Sequence, residues 1–164
     1  MIDRPTTLSL LRDLIGFPTV SRDPNRALID YCADYLRSIG ASVDIMTAEA
    51  GRKANLFATI GPQDVPGVML SGHTDVVPVD GQAWSKLPFE AVVENGRVYG
   101  RGTADMKGFV ASALHCASKA ADRRLNTPLH LALSHDEEIG CIGVHSLIDM
   151  LADAPVKPAM CIVG

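Results

Sequence analysis

No two of the four cysteines stand close enough to make a C-x-x-C pair, so a cysteine-built metal site is not expected. Basic runs are missing as well, and the formal net charge of -4 gives no reason to expect nucleic acid as a partner. No apolar stretch approaches the length of a membrane helix, so no membrane partner is expected. The opening M-I-D-R-P-T-T lacks a basic segment followed by an apolar core, so no secretory signal is expected. Scattered thiols and no such signal fit a reducing, cytoplasmic setting. Internal repeats and low-complexity segments are absent.

What remains is a chain of 164 residues with 47% apolar content, enough for one domain with a real core. Leu8, Leu11, Leu14 and Ile15 recur at helical spacing and predict a first helix from about Pro5 to Ile15. Asp23-Pro24 fits an N-cap followed by proline at the first helical position. The second helix carries Leu28, Tyr31, Cys32, Tyr35, Leu36 and Ile39 on one stripe, and Gly40 ends it. Strands are expected at Val43–Ile45, Asn55–Ile60, Val68–Ser71, Leu129–Leu133 and from Met160. Val92 to Tyr99 reads as a hairpin with Asn95-Gly96 as its turn. Asp105 suits the N-cap of a helix carrying Phe109, Val110, Ala113, Leu114 and Ala117, and Val144, Leu147, Ile148 and Leu151 mark another. Helices alternating with strands argue an α/β sandwich. Cys32 and Cys116 lie on apolar helix faces, where cysteine behaves as a small buried hydrophobe.

Three clusters carry the chemistry. His73 and Asp75 stand in S-G-H-T-D-V-V-P, Asp105 in G-R-G-T-A-D-M-K-G, and Glu137 with Glu138 in S-H-D-E-E-I-G. Each lies at the end of a short apolar run or just before a helix, where an open α/β sheet keeps its active site. On an extended backbone, residues two apart point to the same side, so Asp75 can take the second ring N–H of a metal-bound His73. The plain alternative is a loop histidine capped by its neighbour. Asp105 offers two oxygens and can bridge two cations, or can serve only as a cap. Neighbouring Glu137 and Glu138 diverge, so one can bind metal while the other stays free as a base, or the pair can simply be a solvated stretch of loop. Imidazole and carboxylate ligands without thiolate suit a catalytic site.

The runs G-H-T-D-V-V-P, Y-G-R-G-T-A-D-M-K-G and S-H-D-E-E-I-G, with L-I-G-F-P-T-V-S and W-S-K-L-P-F, resemble the aminoacylase/acetylornithine deacetylase family of dinuclear zinc amidohydrolases. The match follows the family's order over nearly the whole chain. The acetylornithine deacetylase branch is the nearer in motif, with the succinyl-diaminopimelate desuccinylases and general aminoacylases as alternatives. The resemblance implies a three-layer α/β/α sandwich on a mostly parallel mixed sheet. It also implies two divalent cations, zinc or cobalt, and a small N-acyl amino acid as substrate. His73, Asp105 and Glu138 would be metal ligands, with Asp105 bridging, commonly through a cis peptide to Met106. Asp75 would orient His73, and Glu137 would be the general base for attack by a metal-bridging water. The family also forms homodimers through an inserted lid domain. Residues 1–164 would then be the N-terminal part of the catalytic domain, with the lid and the remaining ligands downstream. Such a fragment is expected to bind metal weakly and to be inactive alone.

Other residues invite plainer readings. His115 and His145 look like ordinary helix residues and His130 like a satisfied sheet residue. His135 precedes the acidic cluster, and Asp136 fits a loop-stabilising role better than a metal ligand. Trp84, Pro88 and Phe89 are expected to pack a loop beside the site, Arg101 to anchor the turn that carries Gly100 and Gly102, and Lys107 to be exposed in the first turn of its helix.

Overall fold

The computed structural model describes residues 4–164. The elements follow in chain order as α1 (Thr7–Ile15), α2 (Arg26–Ser38), β1 (Ser42–Ala48), β2 (Lys53–Ile60), β3 (Val68–His73), β4 (Val92–Glu94), β5 (Arg97–Tyr99), α3 (Gly108–Ala121), β6 (Leu129–Ser134), α4 (His145–Asp153) and β7 (Met160–Val163). Five strands form one sheet in the order β1-β2-β6-β3-β7. The pairs β6–β3 and β3–β7 are parallel, whereas β2 runs antiparallel to both β1 and β6. Four strands therefore share one direction and β2 alone opposes them.

Side-chain alternation explains the three layers. Along β2, Ala54, Leu56, Ala58 and Ile60 enter the main core, where they meet buried residues of α1, α2 and α3. The intervening Asn55 faces the other way and donates through its Nδ2 to Gly143 O and Ser146 Oγ at the start of α4. Strand β6 divides likewise: Leu131 and Leu133 join the core, and His130 stacks on Phe57 with ring centroids 5.3 Å apart. The chain steps from β3 to β6 over α3, then back past β3 to β7 over α4. Opposite steps over opposite faces keep one crossover hand, as the right-handed rule for parallel units requires.

The expected hairpin is present as β4–β5, with Asn95 and Gly96 both at positive φ, 51° and 74°. That is the type I′ geometry which matches strand twist. Helix α1 starts later than the periodicity suggested because Thr6 caps it, accepting from Ser9 N. The Asp23-Pro24 start is not observed. Asn25 occupies the cap position of α2 without a capping bond, because its side chain spans the core to Ala54 and Thr74. The cysteine expectation divides: Cys32 is buried, whereas Cys116 faces solvent. Burial pushes the Cys32 thiol up to about 12, which keeps it protonated. Strand β7 is the sheet's edge, and Met160, Ile162 and Val163 on it are exposed. Among the described residues no helix is long and apolar enough to cross a membrane.

Candidate metal centre

The site sits where two parallel strands end side by side. His73 is the last residue of β3 and pairs in register with Ser134, the last residue of β6. The chain leaving β6 turns at once through Asp136, held at φ 56°, and presents Glu137 and Glu138. One ligand atom from each of His73, Glu137 and Glu138 lies within 4.8 Å of the others. Asp105 reaches the same place from the segment before α3, with Oδ1 3.0 Å from His73 Nε2. A cleft of about 360 Å³ opens over His73, Asp105 and Glu137, lined also by Met106, Cys141 and Val163.

Asp105 does not cap α3. The residue at the cap position is Lys107, and Asp105 has extended backbone angles, φ -129° and ψ 99°, within the distorted turn Thr103–Lys107. Its side chain is 72% exposed, so its carboxylate is free to face the cleft. The Asp105–Met106 peptide is cis, as the resemblance implies. Gly102, at φ 81°, lets this turn close, since a Cβ there would stand 2.7 Å from a Val76 methyl.

His73 is buried at 6% exposure, with its two nitrogens facing different partners. The strand stops at His73, so Asp75 does not simply continue the alternation. Its backbone carbonyl takes the shorter contact with Nδ1, 2.9 Å, and its carboxylate lies 3.5 Å away. Burial pushes the imidazole pKa down. The hydrogen bond and charge of Asp75, helped by Asp105, outweigh it and bring the group up to about 9. Nδ1 is thereby committed to Asp75, leaving Nε2 turned toward Asp105 and Glu137, the latter at 3.7 Å.

Asp75 does more than orient the ring. Its carboxylate accepts from Ser21 Oγ at 2.7 Å and from the backbone N–H groups of Glu137 and Glu138 at 3.0 and 3.2 Å. Burial raises its pKa, but these donors and His73 together hold it down near 2. The acidic loop is thus pinned to the histidine segment through one carboxylate. Glu138 shifts upward, chiefly through burial and then through the nearby charge of Asp105. Close like charges of this kind are relieved by a cation.

Two buried lysines were not foreseen. Lys107 is 1% exposed instead of solvated, and its ammonium donates to the carbonyls of Leu14 and Phe17. Burial lowers its pKa to about 7, against the pull of Cys32 and Asp75. Lys53 donates to both oxygens of Asp136 at 2.6 Å, and both side chains are almost fully buried. Asp136 is therefore structural, as expected. His130 is satisfied by Thr59, and His115 meets the Pro5 carbonyl. Arg101 anchors its loop through Gln82 and lies over the Trp84 ring at 5.0 Å.

Residues 69–164 match the family described as peptidase family M20/M25/M40. The chain belongs to that family. Within M20/M25/M40, acetylornithine deacetylase of Pasteurella multocida (strain Pm70) is 37% identical over 167 residues, covering 98% of this chain and 43% of that protein. Acetylornithine deacetylase of Proteus mirabilis (strain HI4320) is 35% identical, covering 99% and 43%. The chain thus spans less than half the length of these relatives. An M20 family metallo-carboxypeptidase from Sulfolobus solfataricus superposes with a TM-score of 0.83 at 24% identity, covering 98% of this chain and 37% of that one. Human carnosine dipeptidase 1 gives 0.81 at 22%, covering 96% and 38%. At that identity the two structures speak for the M20 fold, the α/β sandwich described above.

Proposed function

We propose that this chain is the N-terminal part of the catalytic domain of a metal-dependent amide hydrolase that deacylates N-acyl amino acids, N-acetylornithine first among them. The observation that carries the reading is the convergence of His73, Asp105, Glu137 and Glu138 at the ends of adjacent parallel strands. The donor set fits divalent cations: one imidazole nitrogen committed to Asp75 and the other directed at carboxylates, with no thiolate among the four. His73, Asp105 and Glu138 would hold the cations. Catalytic zinc normally takes three protein ligands, so each ion needs at least one more than this set supplies. The longer relatives leave room for them, and for a dimerisation lid, outside the matched region.

When bound, two zinc or cobalt ions would polarise the amide carbonyl and make water more acidic. The chain's own groups do the rest. Asp75 fixes the tautomer of His73 and holds the Glu137–Glu138 backbone in place. Glu137 is 44% exposed in the cleft and makes no ion pair with a lysine or arginine among the described residues. It takes the proton of the attacking water and returns it to the leaving amine as the C–N bond breaks. Acetate and ornithine would be the products.

The test is hydrolysis by the full-length protein of N-acetylornithine, succinyl-diaminopimelate and N-acetylmethionine, before and after chelation. The expected result is fastest turnover of N-acetylornithine, lost on chelation and restored by zinc or cobalt. Preference for either other substrate would correct the acyl or amino-acid assignment. An undiminished rate in metal-free protein would overturn the metal-dependent reading.

A further inference from the structure

The segment Phe17–Ser21 belongs to no helix or strand and supplies none of the clustered donors. Yet Thr19, Val20 and Ser21 are buried, and the segment is bonded to residues that support each of the three clusters. Toward Asp105, the Phe17 carbonyl accepts from Lys107 Nζ at 2.6 Å, two residues beyond the site carboxylate. Toward His73, Thr19 Oγ1 donates to Thr74 O at 2.6 Å, and Val76 N donates to Thr19 O at 2.9 Å. Ser21 N then donates to Val76 O, and a parallel bridge joins Val20 to Val76. Toward the acidic loop, the Ser21 carbonyl accepts from Lys53 Nζ, the same ammonium that grips Asp136. At the centre, Ser21 Oγ donates to Asp75 Oδ2 at 2.7 Å, and that oxygen also accepts from Glu138 N.

These bonds have one geometric consequence. His73, Asp105 and Glu137–Glu138 come from three separate stretches of chain; the β3–β6 pairing and Asp75 join the first to the last, and their further alignment depends on the support behind them. Among the described residues, Phe17–Ser21 is bonded to the support of each. We propose that Phe17–Ser21 is a brace that sets the relative placement of the three clusters, with Ser21 as the positioning residue that aligns Asp75. The proposal rests on the metal-centre reading given above. Removing the Ser21 hydroxyl frees Asp75 Oδ2 to rotate, which loosens both the His73 ring and the Glu137–Glu138 backbone. Partners of this kind, one step behind the ligands, typically affect metal affinity or activity by roughly 10–100-fold.

The experiment compares full-length wild type, Ser21→Ala and Thr59→Val. Thr59→Val removes a buried hydroxyl that serves His130, near the end of β6 opposite the site. Three readouts are taken: amide hydrogen exchange at Glu137 and Glu138, the visible absorption of the cobalt-loaded protein, and kcat with KM. In Ser21→Ala the two amides exchange at least about tenfold faster, the cobalt bands shift, and kcat falls roughly 10–100-fold with KM little changed. Thr59→Val alters none of these. Unchanged exchange and unchanged cobalt bands in Ser21→Ala would overturn the brace, as would equal changes in Thr59→Val. Should Ser21→Ala not fold, Ser21→Thr, which keeps the hydroxyl, decides: a folded protein with native exchange supports the brace, and any other result overturns it. Amide exchange needs neither metal nor substrate. A wild type without turnover or cobalt bands would therefore defeat the functional reading and leave the exchange comparison to judge the brace by itself.

Discussion

Replacing Glu137 with glutamine lowers kcat by roughly 10²–10⁴-fold while leaving metal content and KM close to wild type. The amide keeps the shape of the side chain but cannot take a proton. Glu137 is the member of the acidic pair suited to this role. Its carboxylate lies half-exposed in the cleft, 3.7 Å from His73 Nε2, and its other oxygen accepts from the Cys141 thiol at 3.6 Å. The fold does not lean on it, because the loop is pinned by its backbone N–H to Asp75 and not by its side chain. Glu138→Gln should behave differently, weakening metal binding first and losing turnover only as a consequence. Steady-state kinetics with metal analysis of both variants separates the roles. Glu137→Gln protein that retained more than a tenth of wild-type kcat would move the base to another residue.

Lys53→Met is expected to destabilise the protein by roughly 3–5 kcal/mol, the usual cost of breaking a buried ion pair from one side. Lys53 is 5% exposed and Asp136 is 2% exposed, with the ammonium 2.6 Å from both carboxylate oxygens. Methionine matches the length of the lysine stem but leaves Asp136 charged, buried and short of its main partner. Among the described residues His135 Nδ1, at 3.1 Å, remains beside it. The Ser21 carbonyl loses its donor at the same time. Asp136→Asn alone should destabilise less, because the amide can still accept and its loss leaves Lys53 with the Ser21 carbonyl and Glu49. The double variant should recover part of the loss, since neither charge is then stranded. Denaturant midpoints of the four proteins check this, and a Lys53→Met midpoint equal to wild type would show that the pair contributes nothing.

Much of this architecture is written in local pattern. The strand expected at Asn55–Ile60, the Asn95-Gly96 turn and the apolar stripe of α2 each depend on neighbours a few residues apart, and each formed as expected. The clusters were legible because their residue types are costly to place together without a purpose. The support behind them was not. Ser21 meets Asp75 across 54 positions, Lys53 meets Asp136 across 83, and Lys107 meets Leu14 across 93. No periodicity records such pairs, and lysine is by default a surface residue. Lys107 did carry one usable signal, its place between the Asp105 turn and an apolar helix face. Asp105 misled for a related reason: an acidic residue before a helix has a common local use, and the tertiary demand of the site displaced it. Asp23 lost its capping place to Asn25, whose side chain bonds Ala54 and Thr74.

His73, Asp105 and Glu138 are proposed to hold cations in common. Calorimetric titration of zinc into metal-free full-length protein, alongside His73→Ala and Glu138→Ala, tests this most directly. Two ions are expected to bind per wild-type chain, with each variant losing tight binding of one. Wild-type protein that binds no zinc tightly, or variants that bind as wild type does, would contradict it.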